Sequence, residues 1–262
     1  MTPTPQEPNA LVVEGLSHSF GGVRVLRRIS FAVRQGEMVA LIGPSGAGKS
    51  TLLRLLAGLI PADLGTVSVL GEDVQREGRL APRSGAVRAR TGLIFQKPNL
   101  VGRLDLFTNV ALGGVQALAP WRSLTGTWPR GLRAAVLDAL ARTGLADKAG
   151  RRASLLSGGE QQRGALARLL VQRARLVLAD EPVAALDPVA AHRVMETLTA
   201  LNRQDGLTVV VSLHQISQAR RHCPRVIALS DGQIAYDGPT EGLDMGRLAQ
   251  IYGPDIEAAV IA

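Results

Sequence analysis

The sequence feature that most constrains the fold is a glycine-rich stretch, GPSGAGKST at residues 43–51, which follows directly on a short apolar run. That run, EMVALIG at residues 37–43, is typical of a strand buried on both faces of a sheet. The stretch STLLRLLAGL, residues 50–59, has helical spacing. A strand, a glycine loop and a helix in this order predict a βα unit, and therefore an α/β fold with a mostly parallel sheet.

The same stretch matches the phosphate-binding pattern G-x-x-x-x-G-K-[ST] at Gly43, Gly48, Lys49 and Ser50. Glycines let backbone N–H groups turn inward around phosphate oxygens, and the start of the helix adds its positive end. The lysine adds a full charge, and the serine hydroxyl offers a ligand to Mg²⁺. The predicted nucleotide-binding residues are Gly43, Pro44, Ser45, Gly46, Ala47, Gly48, Lys49, Ser50 and Thr51.

Further apolar runs end in polar side chains that suit the same chemistry. The run LVLADEP, residues 176–182, ends in Asp180 and Glu181, which suit Mg²⁺ binding and the orientation of an attacking water. Gln96 ends the run LIFQ, and His214 ends the run VVVSLH. Ligands of open α/β sheets bind at the carboxyl ends of the strands, so we expect these side chains to converge. Each one alone is also consistent with an ordinary polar strand exit.

Other patterns place smaller elements around this core. Residues 11–33 predict a hairpin or short antiparallel strands, and an Asp-Gly pair predicts another hairpin within residues 225–238. Residues 76–92 are rich in arginine with little periodicity, which indicates a surface segment. Asp187 is placed as the N-cap of a helix that begins at Pro188.

Residues 97–165 differ in character and predict a helical insertion. LRAAVLDALARTGL, residues 132–145, has helical spacing, and Trp121 and Trp128 lie in the Gly/Pro-rich run before it. Further on, SLLSGGEQQRGALARLL at residues 154–170 has two adjacent glycines that open a helix. This second loop has the form of a phosphate site although the chain already has one.

Composition narrows the class of protein. Of the 262 residues, 46% are hydrophobic and 20% charged, which indicates a globular protein. The net charge of +8 is compatible with nucleic acid, an anionic membrane or a phosphorylated ligand, but the arginines are spread along the chain, as genome base composition alone would give. The single cysteine, Cys223, excludes an internal disulfide. No apolar run has the length of a membrane span, so work at a membrane would need another chain.

These landmarks, in this order, resemble those of the ATP-binding-cassette (ABC) ATPases. The resemblance covers about residues 11–240 and includes LSGGEQQR at 156–163, which is specific to that family, and AALD at 184–187. It implies a P-loop NTPase core with an antiparallel β subdomain and a helical subdomain of about residues 97–165. The implied organisation is a flexible tail at 1–10, a single ABC ATPase domain at 11–240 and a short helical extension at 241–262.

The resemblance also implies roles for particular residues. Phe20 would stack on adenine, where tyrosine is commoner, and Glu181 would be the general base for ATP hydrolysis. Ser50 and Asp180 would hold Mg²⁺, Gln96 would sense Mg²⁺ and the attacking water, and His214 would contact the γ-phosphate. Asp187 would lie in the loop that joins two active sites. Two residues before it, Ala185 stands where the family often has serine. The signature loop, which would close over ATP held by a second copy, is Ser157, Gly158, Gly159 and Glu160.

A narrower resemblance is to the ATPase subunits of bacterial phosphonate importers. It rests on GRLA at 78–81, TGLIFQKPNLVGRL at 91–104, RHCPRVIAL at 221–229 and Gln215 after the histidine. It implies a homodimer that powers uptake of phosphonate, or a related phosphorus oxyanion or organophosphorus solute, through partner permease subunits. A periplasmic or lipoprotein solute-binding protein would be an indirect partner, and the chain would lie peripherally on the cytoplasmic face of the inner membrane.

Two alternatives stay open at this point. An export or lipoprotein-release ATPase would differ only in its partner. A non-transport ABC ATPase acting on DNA or ribosomes would suit the positive charge, but this chain has one cassette and no zinc-ligand cysteines, so no direct nucleic acid partner is expected. Trp121 and Trp128 would either lie near the permease or serve local packing.

Overall fold

The parallel strands predicted around the glycine loop form one sheet. The structure, a computed structural model, describes residues 8–82, 84–117, 128–253 and 256. Its strands are β1 Asn9–Phe20, β2 Val23–Arg34, β3 Met38–Ile42, β4 Leu64–Val69, β5 Glu72–Arg76, β6 Arg79–Leu80, β7 Thr91–Ile94, β8 Leu176–Asp180, β9 Thr208–Ser212, β10 Arg225–Ser230 and β11 Gln233–Pro239.

The helices lie in the connections between these strands, except the last one, which follows β11. They are α1 Lys49–Leu56, α2 Ser84–Arg90, α3 Leu106–Ala111, α4 Arg130–Arg142, α5 Gly158–Gln172, α6 Pro188–Asp205, α7 Ile216–His222 and α8 Met245–Tyr252. In the part of the chain that the structure describes, no helix has both the length and the apolar character needed to cross a bilayer.

The larger sheet has the order β11-β10-β3-β9-β8-β7, and all neighbouring pairs are parallel except β10 with β11. The prediction of a mostly parallel sheet is therefore confirmed. Strands β3 and β9 are buried along their whole length, because the sheet is covered on both faces. The carboxyl ends of β3, β7, β8 and β9 lie at one edge of the sheet, which is where the predicted site residues follow them.

A smaller antiparallel sheet has the order β2-β1-β4-β5-β6, in agreement with the predicted β subdomain. Its apolar side chains share one core with α1 and with one face of the parallel sheet, through residues such as Leu11, Leu55 and Leu178. The opposite face of the parallel sheet packs on α5, α6, α7 and α8. The glycine loop therefore follows a strand of the parallel sheet, and both faces of this sheet are covered by packed side chains.

The third core belongs to the helices of the predicted insertion. Leu106, Val136, Leu140 and Ala167 bring α3, α4 and α5 together, and the half-buried Trp128 packs against them. Trp128 thus takes part in local packing, whereas Trp121 lies outside the described residues.

Some sequence predictions differ from the structure in detail. Residues 76–92, predicted as a surface segment, contain β6 and the short helix α2, whose Val87 is buried. Such a short helix makes too few turns to show a period in the sequence. Strand β1 begins at Asn9, inside the segment predicted as a tail. Strands β7 and β9 end before Gln96 and His214, so these residues stand in the loops just past the strand ends.

Candidate functional site

The glycine loop joins β3 to α1 in a conformation that requires its glycines. Gly43 has φ 142°, and a Cβ atom there would lie 2.1 Å from the carbonyl oxygen of Leu229 at the end of β10. Gly48 has φ 99° and is the N-cap of α1, which no side chain of the described residues caps. The first N–H groups of α1 are therefore open to an anion, as the sequence predicts.

Lys49 is buried beneath this loop. Its ammonium group donates hydrogen bonds to the carbonyl oxygens of Gly43, at 2.7 Å, and Pro44, at 3.1 Å. Burial lowers the pKa of Lys49, while the negative charges of Glu181 and Asp180 act in the opposite direction. An ammonium group has three donors, and these two bonds leave one for a further acceptor such as a phosphate oxygen.

Asp180 lies at the end of β8 and meets the first turn of α1. The hydroxyl of Ser50 donates to Asp180 Oδ1 at 2.9 Å, and the hydroxyl of Ser212 on β9 donates to the same oxygen at 3.0 Å. The Ser212 hydroxyl also accepts a hydrogen bond from the backbone N–H of Glu181 at 2.8 Å. Ser212 therefore connects both acidic residues, a role that the sequence analysis missed. Its signal was a polar side chain at the end of a fully buried strand, shortly before His214.

Glu181 and His214 face each other across adjacent strand ends. His214 Nε2 lies 2.5 Å from Glu181 Oε1. Glu181 has φ 49°, a left-handed conformation that costs a non-glycine residue roughly 1–2 kcal/mol. The two side chains border a cavity of about 390 Å³ that is also lined by Leu186 and Pro188, on either side of Asp187. A carboxylate held by an imidazole in an open cavity can accept a proton from a bound water.

The backbone of Gln96, in the loop after β7, is bound by a side chain of α5. Its carbonyl oxygen accepts a hydrogen bond from Gln162 Nε2 at 3.3 Å, and the carbonyl of Phe95 accepts one at 2.9 Å. The Gln96 side chain is exposed, and among the described residues it makes no recorded hydrogen bond to Lys49 or Asp180. Gln162 is buried on α5, so this helix is tied to the segment after β7, a link that the sequence analysis did not find.

The signature loop forms the start of α5. The Ser157 hydroxyl accepts from the backbone N–H of Glu160 at 3.3 Å, and Glu160 Oε2 accepts from the N–H of Ser157 at 2.8 Å, which makes a capping box. Lys148 forms an ion pair with Glu160, and this hydrogen bond lowers the pKa of the Glu160 carboxyl. These contacts within the chain fix the conformation of the loop.

The two signature glycines pack against the segment that carries Asp187. A Cβ atom on Gly158 would lie 2.9 Å from Leu186 Cδ2, and one on Gly159 would lie 2.8 Å from Ala190 Cβ. From the sequence, glycine at these two positions is expected to allow the backbone to approach an anion closely. In the structure, glycine also allows close packing against Leu186 and Ala190 of the same chain. Ser157 and Gly158 remain exposed, so this face of the loop is open to a further partner.

Phe20 and Asp187 complete the predicted set. Phe20 ends β1, is 50% exposed and lies edge-on to His18 with ring centroids 4.5 Å apart. Its ring has room for a stacking partner. Asp187 is the N-cap of α6, as predicted, and its side chain accepts from the N–H groups of Val189 and Ala190.

Comparisons with known proteins agree with this geometry. A family model described as "ABC transporter" matches residues 26–184. The chain is 53% identical over 252 residues to the phosphonates import ATP-binding protein PhnC of Maricaulis maris, covering 95% of this chain and 96% of that protein. It is 51% identical over 249 residues to the protein of the same name from Caulobacter vibrioides, covering 94% of each.

Solved structures show the same architecture. One is a dimeric ATP-binding cassette in a post-hydrolysis state bound to ADP and Pi, with a TM-score of 0.76 and 29% identity over 89% of this chain and 100% of that one. Another is cbiO1 from Clostridium perfringens, part of an ABC transporter complex, with a TM-score of 0.78 and 25% identity over 96% of this chain and 98% of that one.

Proposed function

Because the chain belongs to the ABC transporter family, we propose that it is the ATP-hydrolysing subunit of an importer for phosphonates or related organophosphorus solutes. The observation that carries the catalytic part is the meeting of Lys49, the Ser50–Asp180 pair and the Glu181–His214 pair at one edge of the parallel sheet. The solute is inferred from relatives of about half-identical sequence, which are named as phosphonate import proteins.

The residues at this edge fit a magnesium ion as well as a nucleotide. Ser50 and Asp180 present hydroxyl and carboxylate oxygens to each other at 2.9 Å, and Mg²⁺ prefers oxygen ligands. Gln96, in the loop after β7, would add an amide oxygen. When bound, the ion would neutralise charge on the phosphate oxygens. Ser50, Asp180 and Gln96 are therefore the residues that we assign to it.

In hydrolysis, the chain's own residues position the substrate and move one proton. The loop N–H groups and Lys49 hold the phosphates of ATP and stabilise the charge that builds up on the transferred phosphoryl group. Glu181 takes the proton of the attacking water as general base. His214 holds the Glu181 carboxylate and would also contact the γ-phosphate. Ser212 binds both the backbone N–H of Glu181 and the carboxylate of Asp180, so it fixes the position of these two groups relative to each other.

We further propose that the complete site needs two copies of this chain. Ser157 and Gly158 are exposed, while the helix they open presents its positive end, so they suit the γ-phosphate of ATP held by a second copy. A related cassette of 29% identity is dimeric, which supports this arrangement. Asp187, packed beside these glycines, would then lie where the two sites meet.

The transport partners follow from the same proposal. The partners would be integral-membrane permease subunits. Closure of the dimer would be transmitted to them through the segment after Gln96, and Gln162 links this segment to α5. A periplasmic or lipoprotein solute-binding protein would deliver the solute. The chain itself would lie peripherally on the cytoplasmic face of the bacterial inner membrane.

The proposal is tested by reconstituting the chain in liposomes with candidate permease and binding proteins from the same organism. We expect ATP hydrolysis to rise when phosphonates are added with the binding protein, and to stay at its basal level with an unrelated solute. Equal stimulation by phosphate, phosphite or an unrelated solute would overturn the substrate assignment. If none of these solutes stimulated ATP hydrolysis and a substrate were transported outward instead, the export alternative would be favoured.

A further inference from the structure

A cluster of potential metal ligands lies away from the nucleotide site, on two neighbouring helices. His192 and Glu196 are one turn apart on α6, and His222 is the last residue of α7. Each side chain can present one ligand atom so that all these atoms lie within 4.8 Å of one another. The cluster shares no residue with the site described above.

Two ring nitrogens of this cluster are buried without a hydrogen-bond partner among the described residues. The His222 side chain is 2% exposed, its Nδ1 lies 3.1 Å from Thr199 Oγ1, and its Nε2 is buried without a hydrogen-bond partner. His192 Nδ1 is likewise buried without a partner. A buried polar atom left unpaired costs roughly 1–3 kcal/mol, so two such nitrogens within one cluster point to a bound ligand.

A carboxylate lies beside the buried imidazole of His222. Glu196, whose carboxylate oxygen lies 4.0 Å from His222 Nδ1, supplies a negative charge.

We propose that His192, Glu196 and His222 bind a transition-metal ion of the Zn²⁺ class, with a water molecule completing the site. Two imidazoles and one carboxylate are ligands that Zn²⁺ takes, whereas Mg²⁺ prefers oxygen alone. Neighbouring ligands of a tetrahedral zinc lie about 3.3 Å apart, from bond lengths near 2.0–2.1 Å. Rotation of the Glu196 side chain, which is exposed, and of the His192 side chain, which is half-buried, would bring the ligand atoms from within 4.8 Å to that spacing. Thr199, whose hydroxyl oxygen lies 3.1 Å from His222 Nδ1, would orient the buried ring.

The position of the cluster makes such an ion a bridge between two helices of the core. Helix α6 starts at the dimer-loop residue Asp187, and α7 starts just after His214 and Gln215. An ion held by both helices would stabilise the native state and restrain the loops from which they begin.

The test is a titration of the purified, chelator-treated protein with Zn²⁺ by calorimetry, and with Co²⁺ by visible absorption. We expect one equivalent to bind, the bands of a four-coordinate cobalt site, and a higher midpoint of thermal unfolding. His192→Ala and Glu196→Gln change residues that are not fully buried, so both variants should fold. Each should weaken binding by at least about tenfold, because even outer-shell changes cost that much.

Two controls separate this site from others. Glu241→Gln removes an exposed carboxylate elsewhere and should leave Zn²⁺ affinity unchanged. His214→Ala tests the nucleotide site as an alternative ligand and should also leave it unchanged. Absence of binding, or binding that survives His192→Ala and is lost in His214→Ala, would overturn the proposal. Either result would leave the proposed transport function untouched, since that function does not involve the cluster.

Discussion

At the scale of single residues, Glu181 is held in place by neighbouring groups of its own chain. Its backbone adopts φ 49°, its N–H donates to Ser212, and its carboxylate meets His214. The last two contacts join the ends of two adjacent parallel strands, so they offset the unfavourable backbone conformation. A group fixed in this way loses little freedom when it acts, which supports the role of general base.

Replacement of Glu181 by glutamine separates binding from turnover. Glu181→Gln keeps the shape of the side chain but cannot accept a proton, so we expect ATP hydrolysis to fall by about 10²–10⁴-fold while ATP still binds. The measurements are steady-state phosphate release and equilibrium binding of a fluorescent ATP analogue. Glu241→Gln is the matched control, and hydrolysis at the wild-type rate in Glu181→Gln would remove this residue from the base role.

At the scale of secondary-structure elements, the C-terminal helix α8 supports the phosphate loop. The Tyr252 hydroxyl accepts a hydrogen bond from the backbone N–H of Gly43 at 3.1 Å. Burial raises the pKa of Tyr252 to about 12, while the bond to Gly43 opposes that rise, so the phenol is neutral at physiological pH. A helix near the end of the chain therefore helps to position the first glycine of the loop.

The substitution Tyr252→Phe tests this support. It leaves the N–H of Gly43 buried without an acceptor, so the free energy of unfolding should fall by about 1–3 kcal/mol. Urea unfolding measures the change. Tyr236→Phe is the matched control, because its hydroxyl bonds to the carbonyl of Pro239 at an exposed position and its loss should cost less. Equal costs for the two variants would show that the Gly43 contact adds nothing.

The start of α6 depends on a single capping side chain. Asp187 Oδ1 accepts from the N–H of Val189 at 3.1 Å and from that of Ala190 at 2.9 Å. Asp187 also lies beside the signature glycines. Its effect on stability as a helix cap must therefore be distinguished from its proposed effect on ATP hydrolysis at the place where two sites meet.

Two substitutions of Asp187 make that separation. Asp187→Ala removes the cap and should lower the free energy of unfolding by about 0.5–2 kcal/mol, whereas Asp187→Asn keeps a capping oxygen and should stay near the wild type. Thermal or urea unfolding reports the cap, and ATP hydrolysis reports the site. If Asp187→Ala is as stable as the wild type, the capping argument is wrong.

At the scale of the whole molecule, the signature loop is covered by its own chain on one side and exposed on the other. Its capping box and the Lys148–Glu160 pair order the loop, and Leu186 and Ala190 cover one side of its glycines. The other side, with Ser157 and Gly158, is exposed. An ordered and exposed helix start fits a ligand brought by a second copy.

Dimer formation should therefore follow ATP binding when hydrolysis is blocked. We expect Glu181→Gln to run as a monomer without nucleotide and as a dimer with ATP, because each ATP would then be held between two chains. Size-exclusion chromatography with light scattering measures the mass. ADP in place of ATP is the control and should leave the monomer, since it lacks the γ-phosphate. A wild-type chain that hydrolyses ATP while strictly monomeric would contradict the proposal.

The sequence by itself determined the features that depend on neighbours along the chain. The strand, loop and helix around Lys49, the buried strands and the N-cap at Asp187 could be predicted, because periodicity and local hydrogen bonds decide them. The convergence of the strand ends could be predicted too, since parallel strands expose their carboxyl ends at one edge. The exact ends of β7 and β9 could not, because the loops past them depend on tertiary contacts.

Only the tertiary structure decided which distant side chains meet. Ser212 joins Asp180 and Glu181 through the register of β8 with β9, and Tyr252 binds Gly43 although the two are 209 residues apart in the sequence. Gln162 holds the backbone of Gln96 through the packing of α5, and His192 faces His222 through the packing of α6 on α7. These pairings follow from strand register and helix packing, which are set by the burial of many apolar side chains together, so no short stretch of sequence contains them.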